Sequence, residues 1–349
     1  MRYTLLGGSG LRVSELALGT MTFGEAWGWG ASKDECRRIF EVFVDAGGNF
    51  VDTASNYTDG QSEEIVGALT GADRGRFVIA TKYTLTSRRD DPNAGGNHRK
   101  NLVQTLEASL RRLRTEYVDL LWLHMWDGTT PVEEVVRALD DLVSTGKVLS
   151  VGISDTPAWV VSRAVTLARQ YGWSPFVAVQ APYSIADRDV ERELLPMARE
   201  LGLAFTPWGT LEGGALTGKY LEDTDEPRRY ESGGPKTNAM AREVIAVADE
   251  VGATPAQAAI AWVLARPWHV VPIVGARSEM QLRENLGALE VELSPEHVDR
   301  LDAVSGFRLG FPREFLESDH VHGLIFGDTF DLIDEPRLGH ARRRSAVNA

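Results

Sequence analysis

The chain has 349 residues, 43% of them hydrophobic, and a formal charge of −13. It is long enough for a large buried core, too acidic for a general nucleic-acid binder, which needs a basic face, and without the eighteen consecutive apolar residues of a membrane span. Cys36 is the single cysteine, which excludes an intramolecular disulfide and a cysteine-rich metal site; with an N-terminus lacking the apolar core of a secretion signal, it points to a reducing, cytoplasmic setting.

In chain order, residues 3–6 and 12–13 flank the turn Gly7-Gly8-Ser9-Gly10, which predicts a small hairpin. Those glycines fit neither GxGxxG nor a Walker loop, so they read as a turn rather than a phosphate cradle. Short β-branched runs then alternate with amphipathic ones. A strand over 15–20 precedes a helix over 33–46, 49–54 precedes 62–69, 77–82 precedes 99–113, and 118–124 precedes 132–144. A strand over 148–154 precedes a helix over 157–170, 176–181 precedes 190–201, 203–208 precedes helices over 239–251 and 255–265, and the last strand is 270–275. Runs such as VDLLWL and FVIAT are apolar throughout, as in strands covered on both faces. Strand–helix alternation selects an α/β architecture, and eight strands over this length favour a (β/α)8 TIM barrel over an open doubly wound sheet.

No linker-like stretch divides the chain, so one domain is expected, with the barrel over about 1–305 and a C-terminal extension over 306–349. Segments 84–98 and 209–237, after the third and seventh barrel strands, and the tail after 306 are too long for plain connections. The first two rise from the C-terminal face of the barrel. Arg342, Arg343 and Arg344 read as a solvated tail.

Barrel enzymes collect their chemistry where strands end. Asp52 ends the second barrel strand with Tyr57 just beyond; Lys82 ends the third and His124 the fourth. Singly they read as a helix cap, a packed tyrosine, a surface charge and a satisfied core histidine. Together they make a proton-donating set. A free phenol titrates near 10, too high for an efficient acid or base near neutrality, and an adjacent ammonium lowers that value. Lys82 is therefore expected to acidify Tyr57, Asp52 to keep Lys82 charged, and His124 to hydrogen-bond a substrate carbonyl. None of the four supplies a hydride, so a cofactor must. A barrel hydrolase would show several His and Asp at strand ends as metal ligands; here His124 alone qualifies, and no metal is expected.

The motifs NFVDTASNYTDGQSEEIVG (49–67), VIATKY (78–83), YVDLLWLHMWD (117–127), KVLSVGISD (147–155), AVQAPYS (178–184), PWGTLEGGALTGKY (207–220) and VPIVGARSEMQLRENLGAL (271–289) follow one another at strand ends. In this order the chain resembles the aldo-keto reductases, from the hairpin to about residue 304. The resemblance implies reduction of an aldehyde or ketone to an alcohol, usually with NADPH, with Asp52, Tyr57, Lys82 and His124 as the catalytic tetrad and Tyr57 as general acid. It places Gly19, Thr20, Met21 and Asp52 beside the cofactor, Ser154, Asp155 and Gln180 at the nicotinamide carboxamide, and Trp208 flat against the nicotinamide ring. Asp155 departs from the asparagine more usual there: a carboxylate accepts hydrogen bonds but donates none. Gly209, Thr210, Leu211 and Gly213 belong to a glycine-rich run whose backbone can approach the pyrophosphate, with Lys219 adding charge. Gly275 and Arg277 open the last strand–helix junction, where barrels commonly hold phosphate. Arg277 is assigned the adenosine 2′-phosphate, and Gln281, Glu284 and Asn285 the adenine. NADP(H) is favoured over NAD(H).

Met21, Phe23, Tyr57, Met125 and Trp126 are expected as pocket walls, suited to a hydrophobic or bulky small-molecule carbonyl. Trp27 either joins them or, like Trp29, is an ordinary exposed aromatic. The tail either folds over the pocket or joins copies of the chain, so a homo-oligomer stays open. The rival to an enzyme is an NADP-binding regulatory subunit with slow or vestigial turnover; the presence of all four tetrad residue types favours catalysis.

Overall fold

The computed structural model describes residues 1–221 and 234–333. Part of the predicted 209–237 segment and the tail with Arg342, Arg343 and Arg344 lie outside the described residues. Two compact units are present, Met1–Gly306 and a segment starting at Phe307.

The first unit begins with β1 (Tyr3–Leu5) and β2 (Arg12–Ser14), an antiparallel hairpin. Eight parallel strands follow: β3 (Ala17–Gly19), β4 (Phe50–Asp52), β5 (Val78–Tyr83), β6 (Val118–Leu123), β7 (Val148–Ser154), β8 (Phe176–Pro182), β9 (Ala204–Trp208) and β10 (Ile273–Gly275). Their order is β10-β3-β4-β5-β6-β7-β8-β9. Phe205 N donates to His269 O at 2.9 Å and Val271 N to Phe205 O at 2.8 Å, which joins β9 to the approach to β10 and nearly closes the ring. This near-closure leaves little sheet edge open, and the fold is the (β/α)8 barrel with an N-terminal hairpin.

Helices α1 (Lys33–Asp45), α2 (Gln61–Thr70), α3 (Arg99–Leu113), α4 (Val132–Ser144), α5 (Ala158–Tyr171), α6 (Leu194–Leu201), α7 (Gly234–Val251), α8 (Pro255–Leu264), α9 (Glu279–Leu286) and α10 (Pro295–Ser305) cover the barrel. Several boundaries differ from expectation, α7 starting at Gly234 rather than 239 and β4 spanning Phe50–Asp52 rather than 49–54, and two of the shifts trace to a proline. α6 starts at Leu194 rather than 190, since Pro196 lacks an N–H and is tolerated only in a first turn. β10 starts at Ile273 rather than 270, since Pro272 interrupts the donor row of the ladder. Among the described residues, no helix is long and apolar enough to cross a membrane.

Side chains of the barrel fill two layers. Inside it, Ala17, Phe50, Val78, Ala80, Leu120, Trp122, Ala178, Ala204 and Val271 pack with Leu6 and Val13 of the hairpin, so the N-terminal end is stoppered. Outside it, the other strand faces meet the helices, which explains why VDLLWL is buried at every position. Trp122 fits because its neighbour on β7 is Gly152: a Cβ there would lie 2.3 Å from the indole ring. In the second unit, α11 (Arg313–Leu316) and α12 (Asp319–Phe326) precede a turn in which His322 stacks on Phe330 with ring centroids 3.9 Å apart.

Gly152→Ala forces the Trp122 ring out of a filled interior, where overpacking costs about 1–3 kcal/mol. A lower urea midpoint with an unchanged slope is the expected result.

Candidate active site

Because β4, β5 and β6 are neighbours, the residues at their C-terminal ends share one mouth. Asp52 ends β4, Lys82 is the second-last residue of β5, and His124 follows β6. Asp52 and Lys82 are 2% and 0% exposed. An ammonium has three protons to donate, and those of Lys82 have three acceptors: Asp52 Oδ1 in a short charged contact, Thr53 O at 2.8 Å and Tyr57 OH at 3.1 Å. The other Asp52 oxygen accepts from Gln180 Nε2 at 3.1 Å. His124 presents its ring edge-on to Tyr57, centroids 6.1 Å apart at 79°. The four tetrad residues are thus brought together.

Tyr57 sits on a tight loop whose next three residues, Thr58, Asp59 and Gly60, all have positive φ, a strained run for two non-glycine residues. The loop after β3 holds it in place. Thr58 Oγ1 donates to Phe23 O, Trp27 Nε1 donates to Asp59 Oδ1 at 3.2 Å, and Gln61 Oε1 accepts from Glu25 N at 2.9 Å and Ala26 N at 3.2 Å. Trp27 is therefore bonded into the Tyr57 loop, with Trp29 against it at 5.8 Å. Behind the loop, the buried Glu63 of α2 accepts from Thr81 on β5 and from Arg112 Nε on α3 at 2.7 Å.

His124 is set by its backbone, which donates to Tyr83 O at 3.2 Å and Thr84 Oγ1 at 3.3 Å. Thr84 has φ 108. A clamp of Asn97 and Asp127 surrounds it: Asn97 Nδ2 donates to Thr84 Oγ1 at 2.9 Å and Met125 O at 3.0 Å, while Asp127 N donates to Asn97 Oδ1 at 2.8 Å. Asp127 also accepts from Asn97 N, Thr129 N and Thr130 N. Burial pushes its pKa up, but these donors outweigh that and hold it at about 2. Sequence reasoning missed this clamp; the DGTT run at 127–130 carries the signal, an aspartate accepting from backbone N–H groups two and three residues on.

The electrostatics correct one expectation. Burial raises the Tyr57 pKa above 10; Lys82 pulls it down, Asp52 and Asp155 push it up, and the net shift is upward. The ammonium moderates the cost of burial without acidifying the phenol below its ordinary value, because burial outweighs it and Asp52 offsets part of its charge. Burial disfavours charge on Lys82 too, yet Asp52 and Tyr57 more than compensate, and the group stays an ammonium. His124 is lowered to about 3, first by burial and then by Lys82, so it is a neutral imidazole. Its Nδ1 is buried without a partner.

On the far side of the mouth, Ser154 ends β7 with its hydroxyl oxygen buried and unpartnered. Asp155 follows with φ 42 and accepts from Trp208 Nε1 at 3.2 Å. Trp208 ends β9 and is 40% exposed. Beyond it, Gly209, Gly213, Gly214 and Gly218 all have positive φ, with Thr210 buried, Leu211 half-buried and Lys219 close to Gly214. Across the ring, Gly19 lies against Ile273 and Gly275, and Met21 is half-buried. The Thr20 side chain is engaged with Asp52 O at 2.9 Å and Ser62 Oγ at 2.8 Å, its N–H donates to Asp52 O at 3.0 Å, and its carbonyl accepts from Phe23 N at 2.9 Å and Ser62 Oγ at 2.8 Å, so Thr20 ties β3 to β4 and α2. Gln281 Oε1 accepts from Arg277 N at 2.9 Å, and Asn285 Nδ2 donates to Gly275 O at 3.1 Å. Glu284 is half-buried beside them. Glu35 of α1, a residue sequence reasoning missed, accepts from Glu279 N at the start of α9 at 2.6 Å.

A buried hydroxyl without a partner, an open indole face and a glycine run with accessible backbone fit a dinucleotide along this side. Of the expected pocket walls, Met125 is 37% exposed and Trp126 partly buried, both beside His124. Phe23 is a correction: it is 0% exposed within the outer core, because its backbone pairs with Ala31 and turns the ring inward. Among the described residues, no three His, Cys, Asp or Glu side chains converge as metal ligands would.

A sequence profile described as "Aldo/keto reductase family" matches residues 15–305. The chain is similar to an NADP(+) aryl-alcohol dehydrogenase of Phanerodontia chrysosporium, 39% identical over 99% of this chain and 94% of that one. It is also similar to a norsolorinic acid reductase of Emericella nidulans, 39% identical over 88% of this chain and 82% of that one. A further aldo-keto reductase of the same organism is 37% identical over 91% and 85%.

With a pKa of about 3 against 6.5 for the free side chain, His124 stays neutral in the folded state while the unfolded chain takes up a proton below 6.5. The stability tied to its burial is present above 6.5 and is lost as pH falls toward 3. Its ring resonances should not titrate between about pH 5 and 8 by NMR; a midpoint in that window would show the ring to be charged.

Proposed function

The chain belongs to the aldo/keto reductase family and is an oxidoreductase, and from that premise we propose that it interconverts an aromatic aldehyde or ketone and its alcohol with NADP(H), Tyr57 carrying the proton. The observation that carries this reading is the convergence of the Lys82 ammonium on Asp52, Thr53 and the Tyr57 hydroxyl, with a neutral His124 beside it.

Ser154, Asp155 and Gln180 would hold the carboxamide, with the open face of Trp208 under the nicotinamide. Gly19, Thr20 and Met21 border it. Gly209, Thr210, Leu211, Gly213 and Lys219 would take the pyrophosphate, Gly275 and Arg277 the adenosine 2′-phosphate, and Gln281, Glu284 and Asn285 the adenine. Held there, a nicotinamide would supply the hydride for the carbonyl.

The chain's own groups act on the carbonyl oxygen. His124 Nε2–H donates to it and fixes where it lies. Tyr57 gives that oxygen its proton as negative charge develops there. The phenolate left behind faces Lys82, whose ammonium stabilises it until solvent restores the proton. A neutral resting phenol starts the reductive direction with its proton in place. In oxidation the same phenolate accepts the alcohol proton.

Tyr57, Trp126 and Met125 line the mouth, and Trp27 is fastened to the Tyr57 loop. This is an apolar, aromatic rim suited to a flat ring beside the carbonyl. The names of the relatives, an aryl-alcohol dehydrogenase and a norsolorinic acid reductase, agree with that substrate class. NADP(H) rather than NAD(H) rests on Arg277, since the carboxylate of Glu35 already occupies an N–H at the start of α9 and would repel a phosphate there.

With NADPH and a benzaldehyde, the protein should consume nicotinamide absorbance, and Tyr57→Phe should slow turnover by about 10²–10⁴-fold with the cofactor Kd within about twofold. Wild-type rates in that variant would remove Tyr57 from the reaction. Tight cofactor binding with no turnover on any aryl carbonyl would favour a binding subunit instead. Arg277→Ala should weaken NADPH by about 1.5–3 kcal/mol and leave NADH almost unchanged. An equal loss for both dinucleotides would count against the 2′-phosphate assignment.

A further inference from the structure

We propose that the Asp155 carboxylate makes this site bind the oxidised cofactor in preference to the reduced one, and so poises the enzyme toward alcohol oxidation. The proposal rests on the reading above that a nicotinamide lies on the Trp208 face.

Asp155 is fixed by main chain and side chain together. Its N–H donates to Gln180 O at 3.0 Å, its carbonyl accepts from Trp126 N at 3.4 Å, and its Oδ1 accepts from Trp208 Nε1 at 3.2 Å. It joins the ends of β7, β8 and β9 at one point. Its left-handed φ of 42 costs an aspartate or asparagine less than most residues, so the backbone alone does not explain an acid here. The Trp208 indole needs an acceptor, which an asparagine carbonyl would provide equally well. What the carboxylate adds is charge. Burial pushes the Asp155 pKa up, while the Trp208 N–H and the nearby Lys82 ammonium pull it down; no Lys82 proton is bonded to it, since they go to Asp52, Thr53 and Tyr57.

The two forms of a nicotinamide dinucleotide differ at one place: the oxidised ring is cationic and the reduced ring is neutral. The phosphates, riboses and adenine are the same in both, so the pyrophosphate run and Arg277 do not discriminate between them. A ring resting on Trp208 would lie beside the carboxylate that accepts from the edge of that indole. Coulomb attraction at that range and a half-solvated dielectric favours the cation. The indole face adds to the preference through its quadrupole. By linkage, any ratio of affinities for the two forms appears as an equal shift in the equilibrium between bound alcohol oxidation and bound carbonyl reduction.

The test is a comparison of four dissociation constants, read from quenching of intrinsic tryptophan fluorescence at pH 8. NADP+ and NADPH are each titrated into wild-type protein and into Asp155→Asn, which keeps the Trp208 acceptor and the left-handed backbone while removing the charge. The expected result is that NADP+ weakens about tenfold relative to NADPH, equivalent to about 1.4 kcal/mol, on top of any loss that the two forms share. Asp155→Ser removes the charge by another route and should move the same ratio in the same direction. A ratio unchanged in both variants overturns the proposal, as does an equal loss of affinity for both forms, which is what a purely structural role would give. Failure of wild-type protein to bind either form overturns this proposal and the NADP(H) reading together. Binding of both forms with an unmoved ratio overturns this proposal alone.

Discussion

The contact on which the site depends is the buried ion pair of Lys82 and Asp52. Moving either charge out of water alone would cost several kcal/mol; each is tolerated because the other is there and because both groups make further hydrogen bonds. Lys82 reaches Thr53 O and Tyr57 OH, and Asp52 reaches Gln180. One consequence is geometric. An ammonium with three fixed acceptors cannot rotate away, so the phenol that forms its third contact is held at one place in the mouth. Another is electrostatic. Burial first of all holds the Tyr57 pKa above its ordinary value, and Asp52 offsets part of the opposing pull of Lys82.

Around that pair, the strained positions lie where the site needs rigid placement. Thr58, Asp59, Thr84 and Asp155 all carry positive φ, and each is over-determined by neighbours: Thr58 and Asp59 by the loop after β3, Thr84 by Asn97, Asp155 by Gln180, Trp126 and Trp208. Backbone strain of this kind persists only where surrounding bonds outweigh it. The barrel supplies them by bringing the ends of neighbouring strands within hydrogen-bonding reach of each other's loops.

The barrel was legible in the sequence because its signals are local and repeated: apolar runs of strand length, amphipathic runs of helix length, in fixed alternation. So were Asp52, Lys82 and His124, since a strand's last residue is visible once the strand is. What the sequence did not show was set by partners distant along the chain. Phe23 follows a strand as a pocket wall would, but a bridge to Ala31 turns it into the core. Glu35 belongs to α1 by every local criterion, and only the closure of β10 against β3 carries it to the start of α9. The direction of the Tyr57 shift also depended on three-body geometry. An ammonium beside a phenol lowers its pKa when considered as a pair; a carboxylate beside the ammonium, and the dryness of the site, reverse the sum.

The bonds from Thr58, Asp59 and Gln61 to the loop after β3 set terms for how this enzyme can diverge. A loop bonded in this way to the segment that carries Tyr57 is not free to drift: a change at Trp27 also loosens the Tyr57 loop. New specificities in this lineage should therefore accumulate first in segments not bonded to that loop, with the Trp27 turn among the last to vary.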